Sequence, residues 1–118
     1  MDSPLLQLNA EALSEMSNGW RARLINSLPG YKSGMLVGTY ENGSANLAII
    51  SSHFHLGSNP ALLGMILRPD TGKGERHTLH NVLKTECWTL NGFGLDSAAQ
   101  AHQTSAPYAK NVSEFSAC

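Results

Sequence analysis

Polar and apolar positions at the start of the chain indicate two short helices. Asn9 can cap a helix that begins at Ala10, because an Asn side chain at this position accepts a hydrogen bond from the first helical turn. A second short helix is predicted from Trp20 to Leu28, and Pro29-Gly30 ends it. The first part of the chain is therefore expected to be helical.

The next segment has the sequence pattern of a β-hairpin, in which a tight turn joins two strands. Met35 to Tyr40 suits a strand, and Ala45 to Ser52 suits the strand that returns alongside it. Asn42-Gly43 lies between them, and this pair favours the type I′ turn that joins two antiparallel strands. The returning strand is apolar on both of its faces, which predicts that it is covered on both sides.

A third strand and a longer helix follow. Ala61 to Leu67 is an apolar run that predicts a buried strand, in which Gly64 allows another group to approach the backbone closely. His77 to Glu86 is predicted to be a helix whose core stripe consists of Leu79, Val82 and Leu83.

The last elements are shorter. Cys87 to Asn91 is the fourth strand candidate, and Asp96 is expected to cap a short helix in which Leu95, Ala98, Ala99 and His102 share one face. Thr104 to Cys118 shows no clear period. The pattern as a whole predicts a mainly β fold with helices, of the α+β class.

Composition limits the classes of protein and of partner. A length of 118 residues predicts one domain, 1–118, and 42% apolar with 14% charged residues argues against disorder. The net charge of -1 gives no field for nucleic acid or an anionic membrane. No apolar run is long enough to span a membrane and the first residues lack a basic signal region, so we expect a cytoplasmic protein.

Positive charge is concentrated near the predicted third helix. Four of the eight Lys and Arg residues lie within seventeen residues, namely Arg68, Lys73, Arg76 and Lys84. A helix N-terminus offers free N–H groups to a phosphate, Thr78 can add a hydroxyl donor, and Arg68 can bind in a bidentate manner. The alternative is that these are solvated surface charges and that Thr78 merely caps the helix.

The sequence contains no recognisable catalytic or metal-binding motif. The pairs His53 with His55 and His77 with His80 match no zinc spacing, and Cys87 and Cys118 form no CxxC motif. Ser51 and Ser52 lack the setting of a nucleophile elbow. His102 is open to two interpretations: a half-buried, hydrogen-bonded imidazole, or a polar group that faces a ligand in an apolar cleft. We predict no catalytic acid, base or nucleophile and no metal site.

An ordered series of segments carries a family likeness: Asn46 to Phe54, Gly57 to Pro60, Arg68-Pro69, His77 to Asn81, Thr89 to Asn91, Ala101 to Ser105 and Ser113 to Phe115. In this order they resemble the flavin reductase-like proteins of the FMN-binding split-barrel superfamily. The series covers about the last three-quarters of the chain, which makes it more specific than a single motif.

The resemblance implies a Greek-key split β-barrel, a homodimer, and FMN in a cleft at the subunit boundary. The residues that it assigns to the cofactor are Asn46, Ala48, Ile49, Ser51, Ser52, His53, Phe54, Arg68, His77, Thr78 and His102. The segment from Asn46 to Phe54 would lie against the flavin ring, and its serines would approach the phosphate with Arg68, His77 and Thr78. His102 would lie near the cofactor.

The resemblance further implies an oxidoreductase that passes a hydride from NAD(P)H to flavin and electrons to an acceptor that the sequence does not identify. A second hypothesis is a flavin-binding electron carrier without turnover, and a third is an inactive fragment. Family members continue with further strands, whereas four strand candidates are too few to close a barrel. We therefore expect an incomplete barrel: either the chain is truncated at its C-terminus, or the partner subunit protects the open edges.

Overall fold

The structure, a computed structural model, describes residues 7–70, 72 and 75–118. The chain divides into two compact units, one that extends to Lys32 and one from Ser33 onward. Lys73, one of the four clustered positive charges, lies outside the described residues. None of the helices in the described ranges is both long and apolar enough to cross a membrane.

The first unit contains helices α1 (Ala10–Glu15) and α2 (Asn18–Ser27). Asn9 caps α1 as predicted, since its Oδ1 accepts a hydrogen bond of 2.8 Å from Ala12 N. The guanidinium of Arg21 on α2 donates to carbonyl oxygens at the end of α1, including Met16 O at 3.3 Å. These bonds satisfy carbonyl groups that the end of a helix leaves without a partner.

Three antiparallel strands form the main sheet of the second unit. They are β1 (Met35–Glu41), β2 (Ser44–Ile50) and β5 (Thr89–Asn91), in the order β2-β1-β5. Asn42 and Gly43 have φ angles of 50° and 83°, as a type I′ turn requires at both central positions. The predicted hairpin is therefore confirmed.

A separate two-stranded sheet lies between these strands in the chain. It pairs β3 (His53–Ser58) with β4 (Ala61–Met65), so the described residues contain five strands and not four. The prediction that β4 is buried is wrong, because Leu62 and Leu63 are 49% and 60% exposed. The two strands pair only with each other, and a ribbon of two strands leaves much of its surface in water.

Helix α3 (His77–Thr85) packs against β1 and β2 with a polar face. Its buried residues are Thr78 and Asn81, whereas Leu83 is 72% exposed, so the predicted apolar stripe is wrong. The reason lies in the sheet, which presents polar side chains to the helix. The side-chain amide of Asn81 forms a hydrogen bond of 3.0 Å with Thr39 Oγ1. A polar helix face satisfies these groups, as buried polar groups require.

The chain ends in a 3-10 turn (Leu95–Ser97), helix α4 (Ala98–Gln103) and helix α5 (Glu114–Ala117). Asp96 lies within the turn and does not cap a helix, contrary to the prediction. The predicted apolar face is also wrong, because Leu95 is 94% exposed and His102 is exposed while Ala101 is buried. Helix α5 carries no clear period in its sequence, and its buried residue is Glu114.

Candidate functional site

A cleft of about 360 Å³ lies where the end of β2 meets the first turn of α3 and the end of β4. Its size falls in the range of small-molecule sites, roughly 300 to 1,000 Å³. The candidate site residues that it brings together are Ala48, Ile49, Ser51, Ser52, Arg68 and Thr78. These come from three separate segments, so the chain fold collects most of the predicted positions around one opening.

Other candidate residues lie elsewhere. Asn46 and His77 line a much smaller cavity of about 20 Å³. His53 and Phe54 belong to β3 and do not line the cleft; the ring of Phe54 lies against Gly64, where an added Cβ would approach it to 2.7 Å. His102 is exposed on α4, so the interpretation of this residue as a half-buried imidazole is wrong.

Several lining residues of the cleft are absent from the candidate set. They are Ile50, Ile66, Leu67, Arg76, Leu79, Thr104 and Ser105. Thr104 and Ser105 belong to the Ala101 to Ser105 segment of the family likeness, in which the resemblance assigns only His102 to the cofactor. The apolar members give the cleft hydrophobic walls, and the polar members lie among them as in most small-molecule sites.

Most hydroxyl groups around the cleft already donate to the protein. Ser52 Oγ donates to Ile66 O at 2.8 Å, and Ser105 Oγ donates to His102 O at 2.7 Å. Thr104 Oγ1 donates to Ala101 O at 2.8 Å. These hydroxyl hydrogens therefore hold the walls together and are not available as donors to a ligand.

Thr78 does not cap α3. Its hydroxyl is buried and donates to Asn46 Oδ1 at 3.4 Å, and no side chain caps the helix at Arg76. Arg68, by contrast, forms no hydrogen bond or ion pair with a described residue and is exposed at the cleft. Its guanidinium is therefore free to bind an anion.

Asp70 connects the segment after Arg68 to helix α3. Asp70 Oδ1 accepts a hydrogen bond of 2.8 Å from Arg76 N, and Asp70 Oδ2 lies 2.8 Å from His80 Nε2. Arg76 Nε also donates to Pro69 O at 3.1 Å. The hydrogen bond with His80, followed by that from the Arg76 backbone, lowers the pKa of Asp70 below its ordinary value of 3.8.

A buried polar network lies behind the cleft. Glu114, 6% exposed, accepts hydrogen bonds at Oε2 from Asn46 Nδ2 (3.1 Å) and Leu47 N (3.0 Å). Glu41, 8% exposed, receives the ammonium of Lys84, and this hydrogen bond lowers the pKa of Glu41 below 4.5. Such groups cost free energy when buried unless they are paired, so this network fixes β1 and β2 relative to the helices.

The chain matches no protein-family model and no curated protein, but it matches solved structures. One is a protein of Shewanella frigidimarina assigned as a flavin reductase with a split-barrel domain. It is 44% identical, the TM-score is 0.82, and the match covers 95% of the present chain and 55% of the Shewanella protein.

Two more distant structures have the same fold. Component B of nitrilotriacetate monooxygenase from Bacillus cereus is 19% identical, with a TM-score of 0.82 over 98% of this chain and 56% of that one. The 2-nitrobenzoate 2-nitroreductase of Pseudomonas fluorescens is 21% identical, with a TM-score of 0.74 over 95% and 51%. The chain thus spans about half the length of the proteins that it matches.

Proposed function

We propose that the cleft binds FMN. The chain has the fold of flavin reductase-like split-barrel proteins, and within the described residues its two sheets do not close into a barrel. The observation that carries this proposal is the guanidinium of Arg68, which has no partner among the described residues and lines a cleft with apolar walls. A flavin mononucleotide needs an apolar wall for its ring and a cation for its phosphate. Both lie within this single opening.

Different residues of the cleft suit the ring and the phosphate of FMN. Ile50, Ile66 and Leu67 supply apolar surface of the kind that excludes water from a flat ring. Arg68 supplies a charge-assisted donor, and the exposed Ser51, just after β2, lines the same cleft. Ser52 is assigned to the wall and not to the phosphate, because its hydroxyl donates to Ile66 O.

We further propose that the protein is an oxidoreductase that uses NAD(P)H as the electron donor. Bound flavin supplies the hydride chemistry, so the protein has to hold and orient the ring and shield it from water. This chemistry requires no catalytic acid, base or nucleophile from the protein. The acceptor of the electrons is left open.

A flavin carrier without turnover is the second candidate. It is favoured by the open arrangement of the two sheets, which do not join into a closed barrel within the described residues. An open cleft shields a flavin ring less completely than a closed one. The chain could therefore bind flavin without oxidising NAD(P)H, and the two properties have to be measured separately.

Two measurements test the proposal. The purified chain is mixed with FMN and passed through a gel-filtration column, and its absorbance spectrum then reports whether flavin stays bound. NAD(P)H oxidation is followed with the same sample, with free FMN as the control. Bound flavin with oxidation above the control supports the enzyme, bound flavin without it supports the carrier, and absence of bound flavin contradicts both.

A further inference from the structure

The side chain of Asp70 ties together two segments that end at the same side of the cleft. One of its oxygens binds the backbone N–H of Arg76 and the other binds the His80 ring, each at 2.8 Å. Arg76 is held a second time, through Nε and Pro69 O at 3.1 Å. Its terminal guanidinium nitrogens form no hydrogen bond with described residues, and both Arg68 and Arg76 line the cleft.

We propose that Asp70 is a positioning residue that holds Arg76 at the cleft, so that Arg76 binds an anion together with Arg68. This inference rests on the proposed function, because it assigns the ligand of the two arginines to a phosphate group. Asp70 does not touch the ligand in this scheme. It acts through Arg76, whose backbone it fixes, and through His80, which anchors the same carboxylate to the second turn of α3.

The geometry supports positioning in preference to a general contribution to stability. Asp70 and His80 have exposed side chains, at 38% and 48%, and an exposed ion pair contributes little to the free energy of unfolding. A hydrogen bond from a backbone N–H to a carboxylate, however, fixes the direction of the residue that donates it. Loss of this bond would free the backbone at the start of α3, from which the Arg76 side chain extends, while leaving the sheet intact.

The test compares the variant Asp70→Ala, which removes both side-chain acceptors, with Asp96→Ala. Asp96 is an exposed aspartate of the 3-10 turn that does not line the cleft. Dissociation constants for FMN and riboflavin are measured by flavin fluorescence. We expect D70A to weaken FMN about threefold to tenfold and to leave riboflavin within about twofold, because riboflavin has no phosphate. D96A should change neither constant. Parallel weakening of both flavins by D70A, or no change in FMN, would overturn the proposal.

A second readout separates this proposal from the function on which it rests. If the wild-type chain binds neither flavin, the proposed function fails, and the ligand-free chain is then examined by amide hydrogen exchange. The Arg76 amide should exchange at least about tenfold faster in D70A than in D96A if Asp70 fixes it. Equal rates at Arg76 would contradict the positioning role whatever the flavin result.

Discussion

The carboxylate of Glu114 accepts a hydrogen bond from the backbone of Leu47, with 3.0 Å between Oε2 and N. Thr104 Oγ1 accepts in the same way from Ile49 N at 2.9 Å. Strand β2 is at the edge of its sheet, so these alternate N–H groups point away from β1. Two side chains from the end of the chain thus bind groups that would otherwise be left exposed at the edge.

The first prediction concerns Glu114. Replacing it with Ala leaves Asn46 Nδ2 and Leu47 N without their acceptor, so we expect the free energy of unfolding to fall by about 2 to 4 kcal/mol. Urea denaturation measures the change. The exposed Glu75 provides a matched control, and Glu75→Ala should alter the free energy by less than about 0.5 kcal/mol. Equal effects of the two variants would show that the buried bonds do not stabilise the sheet edge.

Thr104 allows a sharper comparison, because one substitution removes its hydroxyl group and another keeps it. Thr104→Val removes the acceptor of Ile49 N and should lower the free energy of unfolding by about 1 to 3 kcal/mol. Thr104→Ser keeps the hydroxyl and should cost less. Chemical denaturation of both variants decides the matter. If T104V is as stable as the wild type, the hydrogen bond from Ile49 N does not stabilise the sheet edge.

Local elements of the fold could be predicted where a few adjacent residues determine them. Asn42-Gly43 favours a turn with two positive φ angles, and the structure has them. Asn9 needs only Ala12 N three residues away. The gathering of Arg68 with the end of β2 was also expected, from the charge pattern together with the family likeness. In these cases, short sequence patterns carry the required information.

Features that depend on distant partners could not be predicted. The buried face of α3 is polar because Thr39 and other polar groups of the sheet face it. The spacing of residues along the helix gives no information about these groups of the sheet. Likewise, Glu114 is 67 residues from Leu47, in a segment without period. Strand β3 could not be predicted because His53 to Ser58 lacks a run of β-branched residues. It nevertheless pairs with β4, with a bulge between His55 and Gly57.

The phosphate assignment predicts a difference between two flavins. Arg68→Ala should weaken FMN binding by about 1.5 to 3 kcal/mol, because a charge-assisted bond to phosphate is lost, and it should leave riboflavin nearly unchanged. Fluorescence titration with each flavin measures both affinities. Arg23→Ala, in the first unit, is the matched control. Equal losses for FMN and riboflavin would remove Arg68 from the phosphate site.

Glu41 predicts a specific dependence of stability on pH. Its pKa is lowered from 4.5 in the folded chain, chiefly by the hydrogen bond from Lys84. Its contribution is therefore present above the unfolded-state value and is lost as the pH falls through the lower folded-state pKa. Melting temperatures between about pH 6 and about pH 3 should decrease less steeply in Glu41→Gln than in the wild type. An unchanged slope would contradict this coupling, and Glu75→Gln is the control.

The last prediction concerns assembly, which we propose to be a homodimer. The two-stranded sheet exposes large apolar side chains: Leu56 at 61%, Leu62 at 49% and Leu63 at 60%. Exposed apolar side chains of this size, beside strand edges that no described strand pairs with, are typical of a surface that another chain covers. We therefore expect the wild-type chain to sediment as a dimer or a larger species.

A charge placed on this surface should separate the subunits. The double variant Leu56→Lys with Leu62→Lys should shift the sedimentation coefficient to that of a monomer, because burying two ammonium groups without partners is unfavourable. Leu95→Lys is the control, since Leu95 is 94% exposed and lies in the 3-10 turn, outside the two-stranded sheet. Sedimentation velocity with added FMN also gives the flavin bound per protomer. A wild-type chain that remains monomeric while it binds one FMN would contradict the dimer and show that one copy suffices to form the site.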